Sequence, residues 1–225
     1  MSEFVYAPTI IRLAETRVNV EGVEVFNRAV GCNVNIDADI LEIAGRTCYS
    51  SFARLGKPRA FVKALIKNGH TSVLEHMNFT FFISGVSRSL THQLVRHRIG
   101  ASVSQRSQRY VSPEELKFVI PPLLLESGME AELDVFFENC NSIENMYKCA
   151  IKALRDKGQD KVPANETARS ILPNCTETAL TWTVNGRALL HFLELRDSLT
   201  ADAEIHRLAK TIRSVVSDTG IFDQG

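Results

Sequence analysis

Two separated runs of alternating apolar residues, with helical periodicities of unequal length placed irregularly around them, predict an α+β fold. The expected architecture is a mixed, mainly antiparallel sheet flanked by helices, including a long central helix near residues 129–157. Strands and helices do not alternate strictly, which argues against a doubly wound parallel sheet. The 225 residues carry no repeat, no low-complexity stretch and no Pro/Gly/Ser-rich linker, so a single domain over 1–225 is expected.

Each element has its own signal. Asp37 ahead of Ile40, Leu41 and Ala44 reads as the N-cap of a helix ending near Cys48. Pro58 opens a second helix, with Phe61, Val62, Leu65 and Ile66 on its apolar face and Gly69 as the stop. Met77, Phe79, Phe81 and Ile83 alternate with Asn78, Thr80 and Phe82 as a strand. Helical spacing returns at Leu90 and Leu94, with Arg88, His92 and Arg96 on another face. The long helix takes its stripe from Leu133, Phe136, Phe137, Cys140, Ile143, Met146, Tyr147 and Leu154, and Gly158 stops it. A short helix is expected over about 165–171 before Pro173. Leu180, Trp182 and Val184 form a second alternating strand, which feeds a helix carrying Leu189, Leu190, Leu193 and Leu195. A last helix covers 204–216.

Composition narrows the function. Lys+Arg and Asp+Glu are equal at 26 each, so long-range attraction to nucleic acid is not expected. No apolar run approaches the ~20 residues of a spanning helix, and Met1-Ser2-Glu3-Phe4-Val5-Tyr6 lacks the basic-then-apolar pattern of a signal peptide. A cytoplasmic protein without membrane contact is expected. Cys32, Cys48, Cys140, Cys149 and Cys175 form no Cys-x-x-Cys pair and read as reduced thiols.

The chemistry concentrates between Arg96 and Tyr110. Arg96, Arg98, Arg106 and Arg109 stand there with His97, Ser102, Ser104 and Ser107, and with no lysine or acid among them. Arginine grips phosphate through a fork, with hydroxyls and backbone N–H groups as further donors. On composition a solvated basic face and an anion site are both open. A second set, Arg169, Asn185, Arg187, His191 and Arg196, follows downstream, with Arg187 and His191 one helical turn apart. Arg196 admits a plain reading as a helix-end salt bridge to Glu194 or Asp197. Two arginine clusters in a neutral protein suit a multiply charged small ligand such as a nucleotide. His70, Glu75 and His76 do not have zincin spacing, so no metal site is expected. No P-loop and no Gly-x-Gly-x-x-Gly turn is present.

Arg96-His97-Arg98 followed by Ser107-Gln108-Arg109-Tyr110 resembles the defining motif of the flavin-dependent thymidylate synthases. Gly69-His70, Glu75-His76 and the Phe-Thr-Phe strand resemble the family's preceding segment. Glu166-x-x-Arg169-x-x-Leu172-Pro173 resembles its third block. The stretch from Asn185-x-Arg187 through Phe192-Leu193-x-Leu195-Arg196 to Ala201-x-x-Glu204-Ile205 resembles its last. The likeness covers about 40–207; residues 1–35 carry no part of it.

The resemblance implies a methyltransferase that reductively methylates dUMP to dTMP. Methylenetetrahydrofolate is the carbon donor, FAD the hydride carrier and NADPH the reductant, in a homotetramer with shared active sites. By position, Gln93, Leu94, Val95, Arg96, Gln105, Arg106, Ser107, Gln108, Arg109, Arg169 and Arg196 would hold dUMP. Ser72, Arg96, His97, Arg98, Gln105, Asn185, Arg187 and His191 would hold FAD, and Arg196 would be catalytic. Ser107 has no base adjacent in sequence, which favours binding over nucleophilic attack.

The sequence departs from the pattern in four places. Eight residues, Ile99 to Arg106, separate Arg98 from Ser107 where the family usually has seven. His191 replaces a common amide, Cys48 stands where a small hydroxyl or thiol is expected near the flavin, and no aromatic precedes Glu204. Two other functions stay open on sequence: nucleic-acid binding through Arg96–Arg109, and a flavoprotein without synthase activity.

Overall fold

The computed structural model describes residues 2–32, 40–56, 58–111 and 116–222. Its main sheet has four strands in the order β2-β3-β6-β4, every neighbouring pair antiparallel: β2 (Thr9–Glu15), β3 (Asn78–Ser87), β4 (Ala101–Gln105) and β6 (Glu177–Asn185). A separate parallel pair joins β1 (Glu3–Val5) to β5 (Lys117–Val119). The α+β expectation holds, and the two alternating runs are the two long central strands. Their inward residues Phe79, Phe81, Ile83, Leu180, Trp182 and Val184 are buried, as period-two patterning dictates.

Helices cover that face. α2 (Ile40–Cys48), α3 (Pro58–Lys67), α4 (Arg88–Leu94), α7 (Gly186–Arg196) and α8 (Ala203–Val215) send Leu41, Val62, Leu94, Phe192, Leu193 and Ile205 into one core with the sheet. Asp37, the expected cap of α2, lies outside the described residues. Pro58 begins α3 and Gly69 lies just past its end, as expected.

A second, smaller core gathers Leu116, Phe118, Cys140, Tyr147 and Ala168 beneath α5 (Glu130–Asp156). α5 matches the predicted long helix, although Met146 faces solvent. Glu144 is buried instead, where it accepts hydrogen bonds from the Ser2 hydroxyl at 2.5 Å and from the Leu116 amide at 3.4 Å. α6 (Lys161–Ala168) starts four residues earlier than predicted and runs into a 3₁₀ turn at Arg169–Ile171. Pro163 does not prevent this, because in the first turn its missing N–H has no helical partner to lose.

β1, β2, α1 (Val20–Val30), β4 and β5 were not anticipated. β4 matters most, because it lies inside the arginine-rich segment and pairs from Ala101 opposite Val184 to Gln105 opposite Leu180.

The second face of the main sheet has no helical layer among the described residues. Ile11 and Leu13 are about half exposed there, beside Thr80, Phe82, Thr181, Thr183, Ser102 and Ser104.

Candidate active site

The start of α7 forms one wall of a cavity. Asn185 ends β6 and caps α7, its Oδ1 accepting from the Ala188 amide at 2.9 Å, which satisfies one of the helix's orphan donors. The Arg96–Gly100 loop closes over this cap. Gly100 has φ +70° and accepts from the Asn185 amide at 2.8 Å. A Cβ at residue 100 would stand 2.4 Å from Asn185 Nδ2, so only bare backbone fits there. The cavity between loop and helix measures about 630 Å³. Ile99, Ala188 and Leu190 supply apolar lining; Asn185, Arg187, His191 and Thr71 supply polar groups.

Of the predicted flavin residues, Asn185, Arg187 and His191 therefore share one cavity, and His97 stands beside it with its ring 6.5 Å from that of His191. Ser72 does not line it; Thr71 from the same 3₁₀ turn does, and Ser72 is exposed. Arg96 and Arg98 are exposed, and neither guanidinium has an ion pair among the described residues. Cys48 is exposed at the end of α2 and does not reach the cavity. Glu75, Gly100 and Glu194 line the cavity but were not assigned a role from sequence. The signal for Glu194 was available: residues 187, 191 and 194 fall on one helical face. Glu75 pairs with Arg187 at 2.6 Å across the cavity mouth.

A tight polar knot adjoins this site. Arg196 Nε donates to His97 Nε2 at 3.2 Å, and Arg196 Nη1 donates to Gln93 Oε1 at 3.2 Å. Arg196 thus faces His97 and Gln93 rather than Glu194 or Asp197; Asp197 is taken by Arg213 at 2.5 Å. Burial first, then the nearby Arg196 and His191, push the His97 pKa below its ordinary value. The imidazole is accordingly neutral, with Nε2 as acceptor and the proton on Nδ1. Phe192 packs edge-on against His97 with ring centroids 5.2 Å apart, anchoring the imidazole to the core.

The remaining predicted residues lie at the far end of β4. Gln105 donates to the hydroxyls of Thr91 and Thr178 at 3.1 and 3.3 Å. Arg106 pairs at 2.9 Å with Glu177, whose side chain is buried. Arg109 pairs with Glu166 on α6, and the Arg109 carbonyl accepts from Asn165 at 2.8 Å. Ser107 accepts from the Arg109 amide at 3.3 Å within this turn; Gln108 lies in the same turn. Arg169 stands beside Arg88. Burial first, then this like charge, lower the Arg88 pKa, and neither guanidinium has an ion pair among the described residues. Arg88 was not assigned a role from sequence. Leu94 has its side chain in the core, which leaves only its backbone available to a ligand, whereas Val95 is about one-third exposed.

The sequence motif is thus split in space. The five residues of β4 separate Gly100 from Arg106, six Cα steps or roughly 20 Å at ~3.4 Å per step. One chain does not bring its two ends into a common pocket.

The profile of the thymidylate synthase complementing protein family matches residues 34–219. The chain belongs to that family. The relatives point the same way. The flavin-dependent thymidylate synthases of Mycobacterium tuberculosis and Mycobacterium bovis are each 39% identical to this chain, over 77% of it and 74% of theirs. The flavin-dependent thymidylate synthase of Mycobacteroides abscessus is 38% identical over the same shares. Membership in the thymidylate synthase complementing family spans both ends of β4 and the whole of α7, while β1, β2 and α1 lie outside the match. Among the described residues no helix is long and apolar enough to cross a membrane.

Proposed function

We propose that this protein is a flavin-dependent thymidylate synthase acting as one domain in the cytoplasm. It converts dUMP to dTMP with methylenetetrahydrofolate as carbon donor, FAD as cofactor and NADPH as reductant. The observation that carries the reading is the likeness to named synthases over three quarters of both chains, joined to a cavity whose lining suits the cofactor.

The fit to FAD rests on that cavity. Bare backbone at Gly100 lets the loop close on Asn185 and so keeps that side chain in the cavity wall, and the lining mixes apolar surface with the donors Asn185, Arg187 and His191. Arg96, His97 and Arg98 supply the loop side. Bound there, FAD supplies the hydride, and the protein's part is to orient the substrates and exclude water.

Arg109 is the better phosphate ligand of the two candidate arginines. Its carboxylate partner Glu166 is partly exposed and exchangeable, whereas Arg106 neutralises the buried Glu177. Gln105, Ser107, Gln108 and Arg169 complete this side, each charge-assisted bond contributing about 1.5–3 kcal/mol. Arg196, held by Gln93 and a neutral His97, presents a fixed cation to the uracil ring as negative charge develops. Leu94, Val95 and Arg96 contribute through the backbone and guanidinium at the same edge.

The two ends of β4 act on one dUMP only if they come from different copies of the chain. The uncovered sheet face offers the surface for that contact, and a homotetramer with shared sites satisfies both observations. Light scattering that gives a tetramer mass for the active species agrees; an active monomer contradicts shared sites.

The defining assay is dTMP formation from dUMP, methylenetetrahydrofolate and NADPH with FAD-loaded protein. Turnover that stops when any one component is omitted supports the proposal. FAD binding without dTMP formation makes the protein a flavoprotein of another kind.

A further inference from the structure

Cys140 and Cys175 are distant in sequence, yet the fold packs them together. Cys140 lies on the buried face of α5, within the smaller core beside Phe118 and Tyr147. Cys175 sits in the turn before β6 and packs against the same core, its thiol within electrostatic reach of that of Cys140. The two differ in access. Cys140 is almost fully buried, whereas Cys175 is partly exposed and lines a second cavity of about 330 Å³ with Ser87, Ser89, Pro121, Asn174 and Glu204. A small polar oxidant entering this cavity meets Cys175 and not Cys140, which does not line it.

We propose that Cys175 and Cys140 are a peroxide-sensitive thiol pair that closes to a reversible intramolecular disulfide. The Cys175 thiolate attacks one oxygen of hydrogen peroxide, breaking the O–O bond to give a sulfenic acid and hydroxide. The Cys140 thiol then attacks the Cys175 sulfur, forming the S–S bond as the sulfenic oxygen leaves as water. In sum two thiols and one peroxide give one disulfide and two waters. The division of roles follows the environments. The neighbouring Cys140 thiol draws the Cys175 pKa down against burial and the nearby Glu204. The Cys175 thiol beside it, and then burial, push the Cys140 pKa up. Cys175 lines the cavity and Cys140 is buried behind the core surface, so Cys175 attacks and Cys140 resolves.

The link has a structural consequence. The Asn174 and Thr176 carbonyls accept from the Ser89 and Arg88 amides at 3.0 and 3.1 Å, holding the start of α4, and Arg169 lies just upstream. A disulfide ties this segment to α5.

The test is peptide mapping of the full chain after brief peroxide treatment and alkylation of the remaining thiols. The expected product joins the Cys140 and Cys175 peptides, lighter than their sum by two hydrogens, and dithiothreitol dissolves it. Cys32, Cys48 and Cys149 stay alkylatable in that product, and the oxidised protein melts at higher temperature than the reduced one. In Cys140→Ala, dimedone captures Cys175 as its sulfenic acid; in Cys175→Ser, Cys140 stays reduced. A cross-link to another cysteine, oxidation of the exposed Cys48 and Cys149 ahead of Cys175, or full alkylation of Cys140 and Cys175 overturns the proposal.

Discussion

Replacing Gly100 by Ala tests how the motif loop meets α7. Gly100 holds φ +70°, and an alanine there costs about 1 kcal/mol in backbone strain. Its Cβ would also stand 2.4 Å from Asn185 Nδ2 and 2.8 Å from Asn185 Cγ. Asn185 must rotate, and its side chain then gives up the 2.9 Å cap on the Ala188 amide. Loss of an N-cap costs about 1–2 kcal/mol. The two effects together come to about 2–3 kcal/mol, or roughly 5–10 °C in Tm for a chain of this length. Gly158 provides the control. It has φ +81° beyond α5, with open space where a Cβ would go, so Gly158→Ala carries the strain alone, about 2–4 °C. Thermal melts of both variants by circular dichroism make the comparison. Gly100→Ala should also weaken FAD uptake by about tenfold, because the displaced Asn185 lines the cavity; Gly158→Ala should not. Equal losses of Tm in the two variants would refute the contact between Gly100 and Asn185.

Three further outcomes follow from the site. Arg196→Ala keeps the flavin chromophore but lowers dUMP turnover by ~10²-fold or more, and unchanged steady-state rates remove Arg196 from the mechanism. Arg109→Ala raises the KM for dUMP by about tenfold to a hundredfold, whereas Arg106→Ala acts mainly on stability by leaving the buried Glu177 without its cation; the reverse pattern would exchange their roles. His97 has a folded-state pKa below its ordinary 6.5, so the unfolded chain takes up its proton first as the pH falls. The stability His97 confers is complete above that value and declines as the pH drops towards the folded pKa. Urea unfolding at about pH 7.5 and 5.5 should show a greater loss for the wild type than for His97→Gln, and equal losses contradict a neutral, half-buried His97.

The parts of the fold that were legible in sequence are those whose burial imposes a period. β3 and β6 bury one face each, so Phe79, Phe81, Trp182 and Val184 announce them. α3 and α5 are bounded by Pro58, Gly69 and Gly158, residues whose backbone preferences act locally. β4 was illegible for the opposite reason. Its Ala-Ser-Val-Ser-Gln alternation is weakly apolar, and the strand exists because Trp182 and its neighbours in β6 offer it an edge. β2 is likewise an edge strand, with Ile11 and Leu13 outward, and its pattern does not separate an inner from an outer face.

The candidate site was legible only in part: Asn185, Arg187 and His191 line the cavity, whereas Ser72 does not and Thr71, Glu75 and Glu194 carried no assigned role. Spacing placed Arg187 and His191 on one helical face, and both line the cavity. Nothing local indicates that Arg196 turns from its acidic neighbours to His97 and Gln93, since those partners lie across the fold. Closeness in sequence also misleads between Arg98 and Arg106, where an unrecognised strand carries the two ends of the motif apart.

The most direct test is the visible absorption spectrum of the purified protein, followed by titration of dUMP into the same cuvette. The account predicts flavin bands, present as isolated or acquired on adding FAD, that shift as dUMP binds and saturate. A colourless protein that takes up no added FAD would contradict it.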